Sequence, residues 1–454
     1  MTGDVLGLLR AELGAQVDTS PAALEDARAD KSGHRASAAP LAVVHAETVE
    51  HVQATLRIAS ATGTPVVTRA AGTGLAGAAN AGGGEIALSV RRMTRILEVS
   101  PDDLLAVVEP GIVNADLNAQ LAAYGLWWAP DPASRAISTV GGNIATGAGG
   151  LLCAKYGVVR DAVLGLDVVL ADGRLVRMGH RSVKGVTGLD LTSLLIGSEG
   201  TLGVIVGATL KLRRVVPGDV CTIAATFPTV RAAAAASSAV TAAGIQPAIM
   251  ELMDAASLSA AHALLGLPAP TPGASQLTVQ TDGPAARTEA DAIAEVLSAA
   301  GGTVSATYDR DEGERLLAIR RAMHPAMESL GNALIEDVSV PRSQMAAMFD
   351  EIARVEREHG VEIPTVAHAG DGNLHPNFVF QGEDVPQVIW DAADDLFRAA
   401  IRLGGTLTGE HGIGLLKRRW LADELGDDQW RLQRDIARVF DPAGILNPGK
   451  VFEA

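Results

Sequence analysis

A chain of 454 residues exceeds one ordinary core, so two or three domains are expected. Its 48% hydrophobic and 20% charged content excludes intrinsic disorder, and 53 acidic against 37 basic residues (net charge −16) argue against non-specific binding to nucleic acid or anionic membrane. Two cysteines, Cys153 and Cys221, are too few for a disulfide framework or a built-in iron–sulfur cluster, which takes about four thiolates.

The opening MTGDVLGLLRAELGAQ lacks a basic region ahead of an apolar core, so no signal peptide is expected. Residues 1–37 read as an amphipathic helix and a linker. The alanine-rich stretch 231–250 is interrupted by Gly244 and Gln246 and is too weakly apolar for a membrane span. A cytoplasmic protein, at most peripheral to a membrane, is the expectation. From Leu41 the pattern gives a strand (LAVVHA), a helix over 49–62 and a strand over 65–69. Strands follow at IALSV, LAVVEPGIV, LGLDVVLADG and TLGVIVGATLKL, separated by glycine-rich loops of which STVGGNIATGAGG (138–150) is the densest. This rhythm indicates an α+β fold rather than regular βαβ alternation. From residue 220 the order is strand 220–226, helix 230–243, strand 247–253, helix 255–265, strand 276–281, helix 285–299 and strand 303–308. That is a split-βαβ, ferredoxin-like module with an added helix. From about residue 364 onward, two loops are dense in His, Asp, Asn and Glu.

GTGLAG (72–77), after the strand over 65–69, fits the dinucleotide fingerprint G-x-G-x-x-G. The fingerprint needs a helix after its third glycine, yet AANAGGGE follows and each glycine costs roughly 1 kcal/mol in a helix interior. The next strand begins at Ile86, so no room remains for a crossover helix. What survives is a loop of unshielded backbone N–H groups able to hold an anion, or an ordinary surface loop. A second loop, PDPASRAISTVGGNIATGAGG, favours one extended ligand for both.

The motifs VVTRAAGTGLAG, PDPASRAISTVGGNIATGAGG, LIGSEGTLGVI, HAGDGNLHPN, TGEHGIGLLK and NPGK, in this order, closely resemble the vanillyl-alcohol-oxidase-type flavoproteins. Within them the likeness is to D-lactate dehydrogenases, the flavin subunit of glycolate oxidase and D-2-hydroxyglutarate dehydrogenase. The resemblance implies a two-subdomain PCMH-type FAD-binding domain (38–217), a ferredoxin-like substrate or cap domain with a metal site (218–425), and a C-terminal helical segment returning to the FAD domain (426–454). By motif match, Arg69, Gly72, Thr73, Gly74, Leu75, Ala76 and Gly77 would wrap the FAD diphosphate. Pro130, Asp131, Ser138, Thr139, Gly142, Asn143 and Gly149 would line the cofactor from the second loop. Glu199, Gly203, Ile205 and Asn447 would complete the pocket. Covalent relatives often carry a histidine in the first loop; none stands here, so FAD is expected to be non-covalent.

HAGDGNLHPN sets His368 and His375 on either side of a turn at 370–373 that would bring the imidazoles together in a hairpin. Asn377 would share their side. TGEHGIG adds Glu410 and His411. On the residues alone, metal ligation and turn-stabilising hydrogen bonds both stay open. The resemblance implies His368, His375 and Glu410 as ligands of a divalent metal, Zn²⁺ first with Mn²⁺ or Fe²⁺ as alternatives. His411 is then left as the base that accepts the substrate hydroxyl proton while hydride passes from C2 to the flavin. Arg320 matches the family's substrate arginine, and His324, four residues on, would share its helical face; a solvated helix face is the alternative. The hydroxyglutarate-type relatives carry a lysine where this chain has Ile335, which cannot pair a second carboxylate. A monocarboxylic D-2-hydroxy acid, such as D-lactate or glycolate, is therefore the expected substrate, with D-2-hydroxyglutarate as the alternative. The electron acceptor (quinone, cytochrome, electron-transfer flavoprotein or iron–sulfur subunit) and a homodimeric state stay open. A metal hydrolase would leave the glycine loops without purpose, and a non-catalytic flavin subunit would not need the Glu410–His411 pair.

Overall fold

In the computed structural model, which describes residues 4–382 and 384–452, AVVH, VVTR and IALS become strands Ala42–His45, Val66–Arg69 and Ile86–Ser89. Ile86–Ser89 lies between the other two, and all three run parallel. Their almost continuous burial is what parallel strands covered on both faces require. Helix Val49–Thr62 links the first two. The Thr48 hydroxyl accepts the His51 N–H at its start, left-handed Gly63 closes it, and Val52, Leu56 and Ala59 face the core. Residues 70–85 carry no helix, as the glycines foretell, yet they join parallel neighbours: the loop itself makes the crossover.

A second, wholly antiparallel sheet follows in the order Ile96–Ser100, Leu105–Val108, Val204–Lys211, Val163–Val169, Leu175–Gly179. Its core gathers Trp128, Leu117, Leu121 and Ile144. The glycine run expected to be an open loop contains helix Val140–Thr146, capped by Thr139 and ended by left-handed Gly147. Gly141 lies so close to Pro110 that a Cβ would overlap it, so packing overrides glycine's poor helix propensity.

These two sheets belong to one unit, made of the residues up to Gly149, Gly157–Val215 and the chain from Glu410 on. Two boundaries differ from expectation. Helix Val5–Leu13 is part of this unit's core through Leu9 and Leu13, not an appendage with a linker. The C-terminal return begins at Glu410 rather than 426, because the Leu415 and Leu416 N–H groups already donate to the Ala76 carbonyl (2.8 and 3.2 Å).

The other unit comprises Gly150–Tyr156 and Val216–Gly409. Its antiparallel sheet begins Thr303–Thr307, Asp219–Phe227, Ser275–Gly283, Ile249–Met253, the ferredoxin-like order expected. It continues through Thr365–His368, Asn373–Phe380 and Asn332–Ile335, an extension that the strand–helix rhythm did not announce.

Candidate active site

In the first unit, Arg69 ends its strand almost fully buried and donates to the Ala79 carbonyl (3.1 Å), with Asp26 at 3.4 Å. Arg69 thereby shapes the glycine loop from beneath. A Cβ on Gly72, at φ 67°, would lie 2.5 Å from its Nη2. Ala76 and Gly77 pack against residues 414–416, where Gly414 leaves space for the Ala76 carbonyl. Glu199 accepts the N–H groups of Ile413 (2.7 Å) and Gly414 (2.9 Å), and its carbonyl accepts the Asn447 amide (2.6 Å). Glu199 and Asn447 both hold positive φ, 51° and 44°, a strain that persists only where surroundings enforce it. Burial pushes the Glu199 carboxyl up to about 7, against the two backbone donors and the charge of Lys417.

The hydroxyls of Thr68 and Ser138 and the side-chain Oδ1 of Asn447 are buried with no hydrogen-bond partner among the described residues. Such groups are costly unless a ligand completes them; Ser138 lies on the second glycine loop and Asn447 on the C-terminal tail, both expected to hold FAD, and Thr68 in the strand that leads into the first loop. The residues present fit that cofactor. Other expected cofactor residues have internal tasks. Asn143 accepts from Asn114, whose amide also donates to the Pro130 carbonyl; the Thr139 hydroxyl caps its helix by accepting the Gly142 N–H; Asp131 lies 3.8 Å from Arg135. Gly203 allows close approach of Val168, and Ile205 belongs to the hydrophobic core of the second sheet. Thr73, Gly74 and Leu75 are half-buried in the first loop. Gly149 lies directly against the Glu410 carboxylate, with His411 Nε2 3.7 Å from Glu410 Oε1.

In the second unit, the hairpin expected at 370–373 forms between Thr365–His368 and Asn373–Phe380. It sets the His368 and His375 rings edge to face, 5.0 Å between centroids. Period-two alternation puts Asn373, His375 and Asn377 on one face, and cross-strand register adds His368 and Glu251 to it. Asn377 uses its amide nitrogen on the Pro364 and His375 carbonyls. Glu251, buried, bonds His368 Nδ1 through one oxygen (2.7 Å) and accepts from Arg320 Nε through the other (2.8 Å). Asp337, also buried, accepts the Thr408 hydroxyl (2.5 Å) and stands 3.9 Å from His375 Nδ1. Sequence reasoning missed both acids. With Nδ1 of His368 engaged by Glu251, Nε2 is the nitrogen by which that ring would bind a metal, and two such imidazoles fit a divalent ion.

His324 does not join this group. Helix Arg310–Arg321 ends at Ala322 and a second helix, Met323–Leu330, restarts with Pro325 in its first turn, where the missing N–H is harmless. Its side chain is 55% exposed, 3.2 Å from Glu328, whereas that of Arg320 is 13% exposed. Ile335 ends its strand opposite Asn377.

Two families match this sequence: an FAD binding domain over residues 40–179, and the C-terminal domain of FAD linked oxidases over residues 216–451. The chain is 37% identical to the glycolate oxidase subunit GlcD of Bacillus subtilis over 420 residues, covering 91% of this chain and 89% of the relative. It is 36% identical to a D-lactate dehydrogenase of Archaeoglobus fulgidus, covering 90% of each. The fold matches substrate-bound p-cresol methylhydroxylase with a TM-score of 0.79 at 17% identity, over 98% of this chain and 96% of that one. Among the described residues, no helix is long and apolar enough to cross a membrane.

Proposed function

The chain belongs to the FAD-linked oxidases, and from that membership we propose that it oxidises a monocarboxylic D-2-hydroxy acid to the 2-oxo acid with non-covalent FAD and a divalent metal. The observation that supports this reading is the Arg320–Glu251–His368 chain of contacts, in which one buried carboxylate links the Arg320 guanidinium to the His368–His375 ring pair. Arg320 binds the substrate carboxylate. His368, His375 and Glu410 hold the metal, and residues 69–77 and 138–149 with Asn447 hold FAD. When bound, FAD supplies a two-electron acceptor for the C2 hydride and the metal a Lewis acid for the substrate oxygens. His411 takes the hydroxyl proton, a role that the acceptor nitrogen of a neutral imidazole can fill. Ile335 supports a substrate without a second carboxylate. The electrons leave to a partner carrier (a quinone, a cytochrome, an electron-transfer flavoprotein or an iron–sulfur subunit).

A dye-reduction screen of D- and L-2-hydroxy acids, with and without chelator, tests this reading. Expected are turnover of D-lactate or glycolate, weak turnover of D-2-hydroxyglutarate, and loss on chelation that Zn²⁺ or Mn²⁺ restores. Preference for an L-acid, or unchanged activity after verified metal removal, refutes it. Full turnover by flavin-loaded His411→Ala removes His411 as the base.

A further inference from the structure

The two groups that the proposed function uses for metal and for substrate carboxylate share one neighbour. Glu251 stands in strand Ile249–Met253 directly opposite His368 and is 1% exposed. Its Oε1 lies 2.7 Å from His368 Nδ1 and its Oε2 accepts from Arg320 Nε at 2.8 Å. We propose that Glu251 is a positioning residue that fixes the His368 tautomer and the Arg320 orientation together, so that metal and substrate carboxylate are held by one buried acid.

An ionised carboxylate only accepts hydrogen bonds. Bonded to it, the His368 Nδ1 carries the proton and Nε2 presents its lone pair, the state a metal ligand needs. Held through Nε, the guanidinium has its two Nη groups to offer as a fork to a substrate carboxylate. Glutamine cannot serve both partners. If its oxygen accepts from Arg320, its NH₂ faces His368 Nδ1 and drives the ring proton onto Nε2, against metal binding. If its oxygen faces His368, its NH₂ opposes the Arg320 Nε–H.

The inference rests on the proposed roles of His368 and Arg320, and the experiment separates the two levels. Metal-stripped, flavin-loaded wild type and Glu251→Gln are titrated with Zn²⁺ against a chelating dye, and KM and kcat are measured at saturating Zn²⁺. Glu251→Gln is expected to weaken Zn²⁺ binding roughly 10–100-fold. KM for the hydroxy acid should rise about tenfold, a larger factor than the fall in kcat. Added to Arg320→Ala, it should leave KM where it is and still weaken Zn²⁺. Wild type that takes up no Zn²⁺ refutes the metal site itself, and the His368 half of this inference with it. Wild type that binds Zn²⁺ while Glu251→Gln, with native flavin content and Tm, binds it equally and keeps its KM refutes Glu251 alone. Should Glu251→Gln lose flavin, Glu251→Asp replaces it. One methylene shorter, it cannot span both partners, and retention of both functions overturns the proposal.

Discussion

Glu199 makes the pH dependence of the first unit predictable. Its carboxyl is pushed from an ordinary 4.5 to about 7 because burial penalises the charged form more than two backbone donors and Lys417 favour it. Between those values the folded chain holds a proton that the unfolded chain has released. The stability contributed by neutral Glu199 is thus complete below pH 4.5 and lost as pH rises through about 7. At about 1.4 kcal/mol per unit this is on the order of 3 kcal/mol. For a unit of this size, at about 2–4 °C per kcal/mol, it amounts to roughly 6–12 °C in Tm. Thermal unfolding of wild type and Glu199→Gln from pH 4.5 to 8.5 is the assay. The glutamine loses one of the two acceptor contacts to Ile413 and Gly414, which lowers its curve at every pH. It does not titrate, so the wild-type slope between pH 5 and 8 should flatten by most of that amount. Asp254, in the other unit, is pushed up to about 6 by burial and slopes the same way, so the difference between proteins is the readout. Parallel curves would refute the assignment of that proton to Glu199.

Four further outcomes are expected. Gly149→Ala puts a methyl into the Glu410 carboxylate, and dye reduction per bound flavin should fall at least about tenfold, since roughly 1.4 kcal/mol of lost positioning suffices. Ser138→Ala removes a buried hydroxyl that no described residue satisfies; the FAD dissociation constant should rise roughly two- to tenfold while apoprotein Tm does not fall. His324→Ala should leave kcat/KM within about twofold because an exposed pair contributes little, whereas Arg320→Lys, which loses the planar fork, should raise KM about tenfold or more.

Elements that carry their own start and stop signals were legible in the sequence. Helices Val49–Thr62 and Ala255–Leu265 lie between a capping Thr48 or Asp254 and a left-handed Gly63 or Gly266, and match the expected ranges. The His368–His375 hairpin was legible because a Gly-Asp-Gly-Asn turn fixes where its strands meet. Glu251 was not, since its partner stands 117 positions later and register across two separate strands decides the meeting. Nor was the excursion of Gly150–Tyr156 into the second unit, which Lys155 (2.5 Å) and Tyr156 secure on Asp282. The separation of His324 from Arg320 was partly legible. Pro325 disfavours an uninterrupted helix through both, because it removes a backbone N–H and crowds the preceding turn.

Both candidate sites depend on buried or half-buried acids placed where donors from distant segments converge. Glu199 joins backbone donors more than 200 positions away, two and three residues beyond His411. Asp254 accepts from Ser257 at a helix start and from Thr365 at the start of the strand that ends in His368. Glu251 joins that histidine to Arg320. A buried carboxylate without such donors would be expensive, so each can exist only where those segments meet, and each in turn fixes how they meet. The chain's large negative charge therefore says little about its chemistry, because most acids are solvated. The few buried ones set the backbone and tautomers on which the proposed base, metal and carboxylate binder depend, so changing them should alter geometry before it alters charge.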